Sequence, residues 1–132
     1  MMTVQCLNIT LSEIRNLHAI DEYDKFVRPL SYEFDLERNA LYAVIGVRTR
    51  RGTPWLYAAA MTGERGIQIV PAVLFRFDWE EVPSDWRIRI TRDGNIDLTP
   101  NSLAVIEDWF ERYVNGDSTI IGIVNREVDR SR

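Results

Sequence analysis

With 132 residues, 45% of them apolar and 27% charged, the chain is long enough for one domain with its own core and too apolar for disorder. A lone cysteine, Cys6, excludes an internal disulfide and suits a reducing compartment, and the formal net charge of -4 weighs mildly against nucleic acid as a partner. Residues 1–8 lack a basic region followed by an apolar one, and no apolar run approaches the roughly 20 residues of a membrane span, so a cytoplasmic protein without membrane contact is expected.

In chain order, residues 3–11 read as a strand with Leu7, Ile9 and Leu11 on one face. Ser12 is placed to cap a helix, with Glu13 at its positive end. Ile14, Leu17, Ile20, Tyr23, Phe26, Val27 and Leu30 recur at helical spacing, and Pro29 stops the helix near Val27. Residues 32–36 alternate like a short strand. Residues 40–49 and 54–61 form a hairpin about Arg51-Gly52. Its two-residue turn pairs Val47 with Leu56, Ile45 with Ala58, and Gly46 with Tyr57, whose ring covers the bare glycine. The same register sets Arg48 opposite Trp55, within reach of a cation–π contact. Both faces of this hairpin are apolar, as in strands covered on two sides.

Residues 62–66 are a turn-rich connection. Residues 67–70 form a strand stopped by Pro71, and residues 72–78 point Val73, Phe75 and Phe77 inward. A second hairpin follows an acidic loop. Trp86, Ile88 and Ile90 alternate with Arg87, Arg89 and Thr91, and a three-residue loop Arg92-Asp93-Gly94 sets Ile90 opposite Ile96, Ile88 opposite Leu98 and Arg89 opposite Asp97. A two-residue loop would pair Ile90 with Asp97 and send side chains to the wrong face. The expectation is that the isoleucines pack beneath a helix and that arginine and aspartate face solvent. Thr99 caps that helix, Pro100 opens it, and Leu103, Ile106, Trp109, Phe110 and Tyr113 form its buried stripe up to the Asn115-Gly116 stop. Residues 117–128 fit a helix capped by Asp117 better than an edge strand, with the end beyond Asp129 frayed.

The pattern predicts an α+β fold: one domain over residues 1–132, with an antiparallel sheet of about five or six strands packed against two or three helices. No catalytic set emerges. The only histidine, His18, has no relay of Ser, Cys or carboxylate around it in the sequence, and His18 with Cys6 offers too few ligands for structural zinc. The acidic run Asp78, Glu80, Glu81 and Asp85 reads as a solvated loop before an acid–base or metal site, so neither metal nor cofactor is expected.

The function expected from these residues is non-enzymatic protein binding, as in a small acidic inhibitor or an immunity-type protein of a bacterial or phage conflict system. Trp79, Glu80, Glu81 and Asp85 are its candidate contacts, an aromatic and acidic group on a proline-stiffened loop. An alternative is a small-molecule binder or enzyme with a pocket between sheet and helix, where Tyr42, Arg48 and Tyr57 converge. A second alternative is RNA binding through Arg87, Arg89 and Arg92, with Arg76 as a further candidate, though salt-bridging of Arg89 by Asp97 argues against it. A homodimer through an open sheet edge is compatible with the same pattern.

Overall fold

A computed structural model describes residues 2–15, 20–62, 66–79 and 81–132. Among these residues seven strands form one antiparallel sheet: β1 (Thr3–Cys6), β2 (Leu41–Arg50), β3 (Thr53–Ala60), β4 (Gln68–Pro71), β5 (Phe75–Phe77), β6 (Trp86–Ile90) and β7 (Ile96–Pro100). Three helices close the chain: α1 (Asn101–Ala104), α2 (Trp109–Val114) and α3 (Ser118–Ser131). The α+β architecture follows the periodicity, with one strand more than expected.

Five strands lie in the order β4-β3-β2-β1-β5. Its two outer members are joined by a single turn of 3-10 helix, Ala72–Leu74. In a flat sheet those strands would stand about 19 Å apart, four spacings of roughly 4.8 Å, and a four-residue step spans at most about 14 Å. The sheet therefore curls, and the apolar side chains of Val4, Cys6, Leu11, Val44, Leu56, Val70 and Leu74 fill its concave face. On the opposite face Ile45, Tyr57 and Ala59 pack against Leu103, Trp109, Ile120, Val124 and Val128 of the helices. β2 and β3 are covered on both faces, as their composition requires.

The β2–β3 register agrees with expectation from Gly46↔Tyr57 to the turn and departs from it above. Val44, not Ile45, pairs with Ala58, because a bulge makes Ile45 an extra residue. The bulge turns Ile45 onto the helix face, where it is fully buried. Tyr57 does lie over Gly46, but the Arg48 guanidinium sits above Tyr57, 5.7 Å from its centroid, and Arg50 rather than Arg48 covers Trp55.

Several local expectations fail for identifiable reasons. β1 ends at Cys6, and a 3-10 turn at Leu11–Glu13 replaces the start of the helix. Thr10, not Ser12, caps it: Glu13 Oε1 accepts from the Thr10 amide at 3.0 Å and from its hydroxyl at 2.9 Å, while Arg38 pairs with Oε2 at 2.8 Å. Ile14 is already extended, and Tyr23–Lys25 is a second 3-10 turn held by the Tyr23 hydroxyl on the Pro54 carbonyl. Residues 32–36 form no strand. Leu74 is buried within the 72–74 turn, and Phe77, expected inward, is exposed beside Trp79. His18 lies outside the described residues.

The helix expected after Thr99 breaks into α1 and α2. Arg89 Nη1 donates to the Ala104 carbonyl at 2.7 Å, the acceptor that the Asp108 amide would need to carry the helix onward. Asp117 caps α3 as expected, accepting from the amides of Thr119 and Ile120 at 3.0 and 3.3 Å. α3 runs to Ser131, and Arg132 Nη2 donates to the Ala60 carbonyl at 3.0 Å.

Candidate functional site

The ribbon of β6 and β7 reaches from the core, which its Trp86 and Leu98 join, out past the residues that cover it. β2 is longer than β1, so its far half is free to pair with β7 through Val47↔Leu98, Arg48↔Asp97 and Thr49↔Ile96. Within the ribbon Ile88↔Leu98, Arg89↔Asp97 and Ile90↔Ile96 match the expected register, and Gly94 takes the left-handed turn position at φ 79°.

The register is right, and the orientation is the reverse of expectation. Asp97 and Thr99 face the helices and are buried, whereas Ile88, Ile90 and Ile96 are 71%, 73% and 43% exposed. The cause is an ion pair. Arg48 grips Asp97 with two bonds, Nε to Oδ1 at 2.7 Å and Nη2 to Oδ2 at 2.9 Å, with side chains only 19% and 6% accessible. The Tyr57 hydroxyl adds a long contact to Oδ1 at 3.4 Å. A planar fork on a carboxylate, buried and satisfied, fixes which side of β7 faces the helices. Close approach at Gly46 completes the seam: a β-carbon there would stand 2.8 Å from Thr99 Cγ2 and from Tyr57 Cδ2. Burial, with the nearby Asp97 charge, pushes the Tyr57 phenol well above its ordinary range, and the bond to Asp97 raises Arg48 further. Neither is poised to exchange a proton near neutrality.

The aliphatic side of the ribbon continues the concave face of the sheet past the residues that cover it. Trp86 is buried, as expected of an anchor, and Leu98 and Val47 lean on the core; beyond them the isoleucines meet no cover. The β6 backbone is also open on one side. Thr91 N donates to Asn95 O, and Asn101 N to Asp85 O, so residues 91 and 85 sit in hydrogen-bonded pairs at the two ends of the ribbon. Antiparallel alternation between them turns the amides and carbonyls of Arg87 and Arg89 toward β7 and those of Ile88 and Ile90 outward. Among the described residues β6 pairs with β7 alone.

Of the loop residues nominated from sequence, Trp79 is half-buried, its Nε1 donating to the Thr3 carbonyl at 2.8 Å. Glu80 lies outside the described residues. Glu81 is exposed, and Asp85 lies 3.6 Å from Arg130. Of the nominated pocket, Arg48 and Tyr57 come together, whereas Tyr42 is on the opposite face, its hydroxyl accepting from the Glu37 amide at 2.8 Å. Beside Arg48 the surface opens into a depression of about 360 Å³ lined by Thr91, Arg92, Glu107 and Glu111. The arginine row is dispersed: Arg89 and Arg92 reach Glu107, and Arg87 bonds to the carbonyls of Ser84 and Trp86. Among the described residues no three His, Cys, Asp or Glu side chains are grouped to hold a metal, and no helix is long and apolar enough to cross a membrane.

The exposed isoleucines carry the same alternation as a core strand, so no period analysis separates the two cases. The available signal was on the other face: a buried Asp97 needs a cation on a neighbouring strand, and Arg48 stands opposite it in β2. Comparison with models of known protein families, with curated proteins and with solved structures finds no match to this chain.

Proposed function

We propose that the chain is a non-enzymatic protein-binding domain whose partner rests on the aliphatic face of the β6–β7 ribbon. The observation that carries this reading is the row of Ile88, Ile90 and Ile96, turned to solvent by a buried ion pair behind them. Contiguous apolar surface rimmed by charge marks interaction sites far more often than single exposed aliphatics do. Glu81 is exposed in the loop that enters β6, Asp85 turns to Arg130 on the helix side, and Trp79 serves chiefly as an anchor for its loop. An inhibitor or immunity-type protein is one domain of this kind. The RNA alternative draws little support from Arg48 and Arg89, whose charges are matched by Asp97 and Glu107.

The test is quantitative affinity capture from the native host with the wild-type chain, the Ile88→Thr/Ile90→Thr variant and the Glu81→Lys/Asp85→Lys variant. Threonine keeps the strand preference of isoleucine and removes most of its apolar surface. Partners retained by wild type should be depleted from the threonine variant, and less so from the lysine variant. Equal recovery on the threonine variant removes the ribbon from the account.

A further inference from the structure

The partner's conformation and composition can be read from the same ribbon, given the protein-binding reading above. We infer that β6 receives an extended segment of another protein as an added antiparallel or parallel strand, and that this segment alternates aliphatic with acidic side chains. The outward amides and carbonyls of β6 belong to Ile88 and Ile90, the residues whose side chains are also the most exposed. One element therefore offers both halves of strand addition, a ladder of main-chain donors and acceptors and an apolar face for alternate side chains.

Charge selects the occupant. On the side of β6 away from the isoleucines lie Arg87 and Arg89; Glu107 matches the charge of Arg89, and Arg130, farther along, is paired with Asp85 and Glu127. Among the described residues the Arg87 guanidinium meets only the backbone carbonyls of Ser84 and Trp86. A strand laid along this edge thus has aliphatic neighbours on one face and the Arg87 guanidinium, without a carboxylate among the described residues, on the other, and is matched by aliphatic residues alternating with Asp or Glu. The same arginines disfavour a second copy of the chain. Each two-fold antiparallel register that pairs Ile88 within β6 also sets an arginine opposite an arginine: Arg87 on Arg89, Arg87 on itself, or Arg89 on itself. Charged residues on an open edge are a common device against such self-pairing.

The experiment uses the isotope-labelled full chain and three capped eight-residue peptides: one alternating isoleucine or valine with glutamate, one with lysine for each glutamate, and one with the first composition in scrambled order. NMR titration gives affinity, and amide exchange gives the place of binding. The alternating acidic peptide should bind at least about tenfold more tightly than the lysine peptide, and should slow exchange at Ile88 and Ile90 specifically. It should lose binding to Ile88→Pro, a substitution an edge strand accepts where the replaced N–H faces solvent, and to Ile88→Thr/Ile90→Thr. Equal or tighter binding of the lysine or scrambled peptide overturns the assignment. Binding that survives Ile88→Pro without protecting those amides, yet is lost in the threonine variant, overturns strand addition and leaves the ribbon face as the site. Failure of all three peptides at millimolar concentration, or a sedimenting dimer with Ile88 and Ile90 already protected, overturns the inference, and the capture experiment then decides the broader reading separately.

Discussion

The reversal of the ribbon makes a prediction opposite to the one its sequence pattern makes. If Ile88 and Ile90 were core residues, truncating either would cost about 2–5 kcal/mol. In the fold less than a third of each side chain is covered. Burying a whole isoleucine contributes at most about 3 kcal/mol, so the covered fraction amounts to under about 1 kcal/mol, and threonine preserves the strand preference. Asp97 should behave in the other sense. Its removal strands the Arg48 guanidinium in a site 19% accessible and takes an acceptor from Tyr57. Breaking a buried pair in this way costs about 3–5 kcal/mol. Equilibrium urea unfolding followed by tryptophan fluorescence reads both, since Trp86 lies in the ribbon and Trp109 in the helix-side core. With a slope near 1.5 kcal/mol/M, Asp97→Ala should lower the midpoint by about 2 M or more, and Ile88→Thr or Ile90→Thr by about 0.6 M at most. A threonine variant that loses more than Asp97→Ala would show that the ribbon is packed the other way round.

Other consequences follow from the same contacts. Gly46→Ala places a β-carbon 2.8 Å from Thr99 and Tyr57 and 3.3 Å from the Leu98 carbonyl, and should destabilise by about 1–3 kcal/mol in the same assay. Ile120→Ala and Val124→Ala, at the centre of the helix-side core, should each cost about 2–5 kcal/mol, far more than either ribbon isoleucine. Arg38 and Thr10 hold the Glu13 carboxyl down at about 2, so its contribution is complete above the ordinary glutamate value of 4.5 and is lost as pH falls through about 2. Asp117, lowered by Arg112 and by the α3 amides, acts in the same direction. Acid unfolding of Glu13→Gln should therefore show a weaker loss of stability below pH 4.5 than wild type; identical acid limbs would contradict the assignment.

The sequence carried the strand pairings well and their facing poorly, and the difference is physical. Turn residues at Arg51-Gly52 and Arg92-Asp93-Gly94 set hairpin registers locally, so Val47↔Leu56 and Ile88↔Leu98 could be derived from spacing alone. The Ile45 bulge is absent from any period count because it depends on what packs above it. Helix ends were legible where a side chain caps its own turn, as Asp117 does, and illegible where a distant residue ends the helix, as Arg89 does at Ala104. The candidate site fell in the second class. Its isoleucines look like core in one dimension, and only the cross-strand meeting of Arg48 and Asp97, 49 residues apart, turns them outward.

Amide hydrogen exchange in the protein without a partner, measured residue by residue along β6, tests the central claim most directly. Paired to β7 on one side and open on the other, the strand should alternate: Arg87 and Arg89 slow, Ile88 and Ile90 faster by about a hundredfold or more, as expected for unpaired exposed amides. Protection of Ile88 and Ile90 equal to that of Arg89 would mean that the edge is already covered, and would contradict the account.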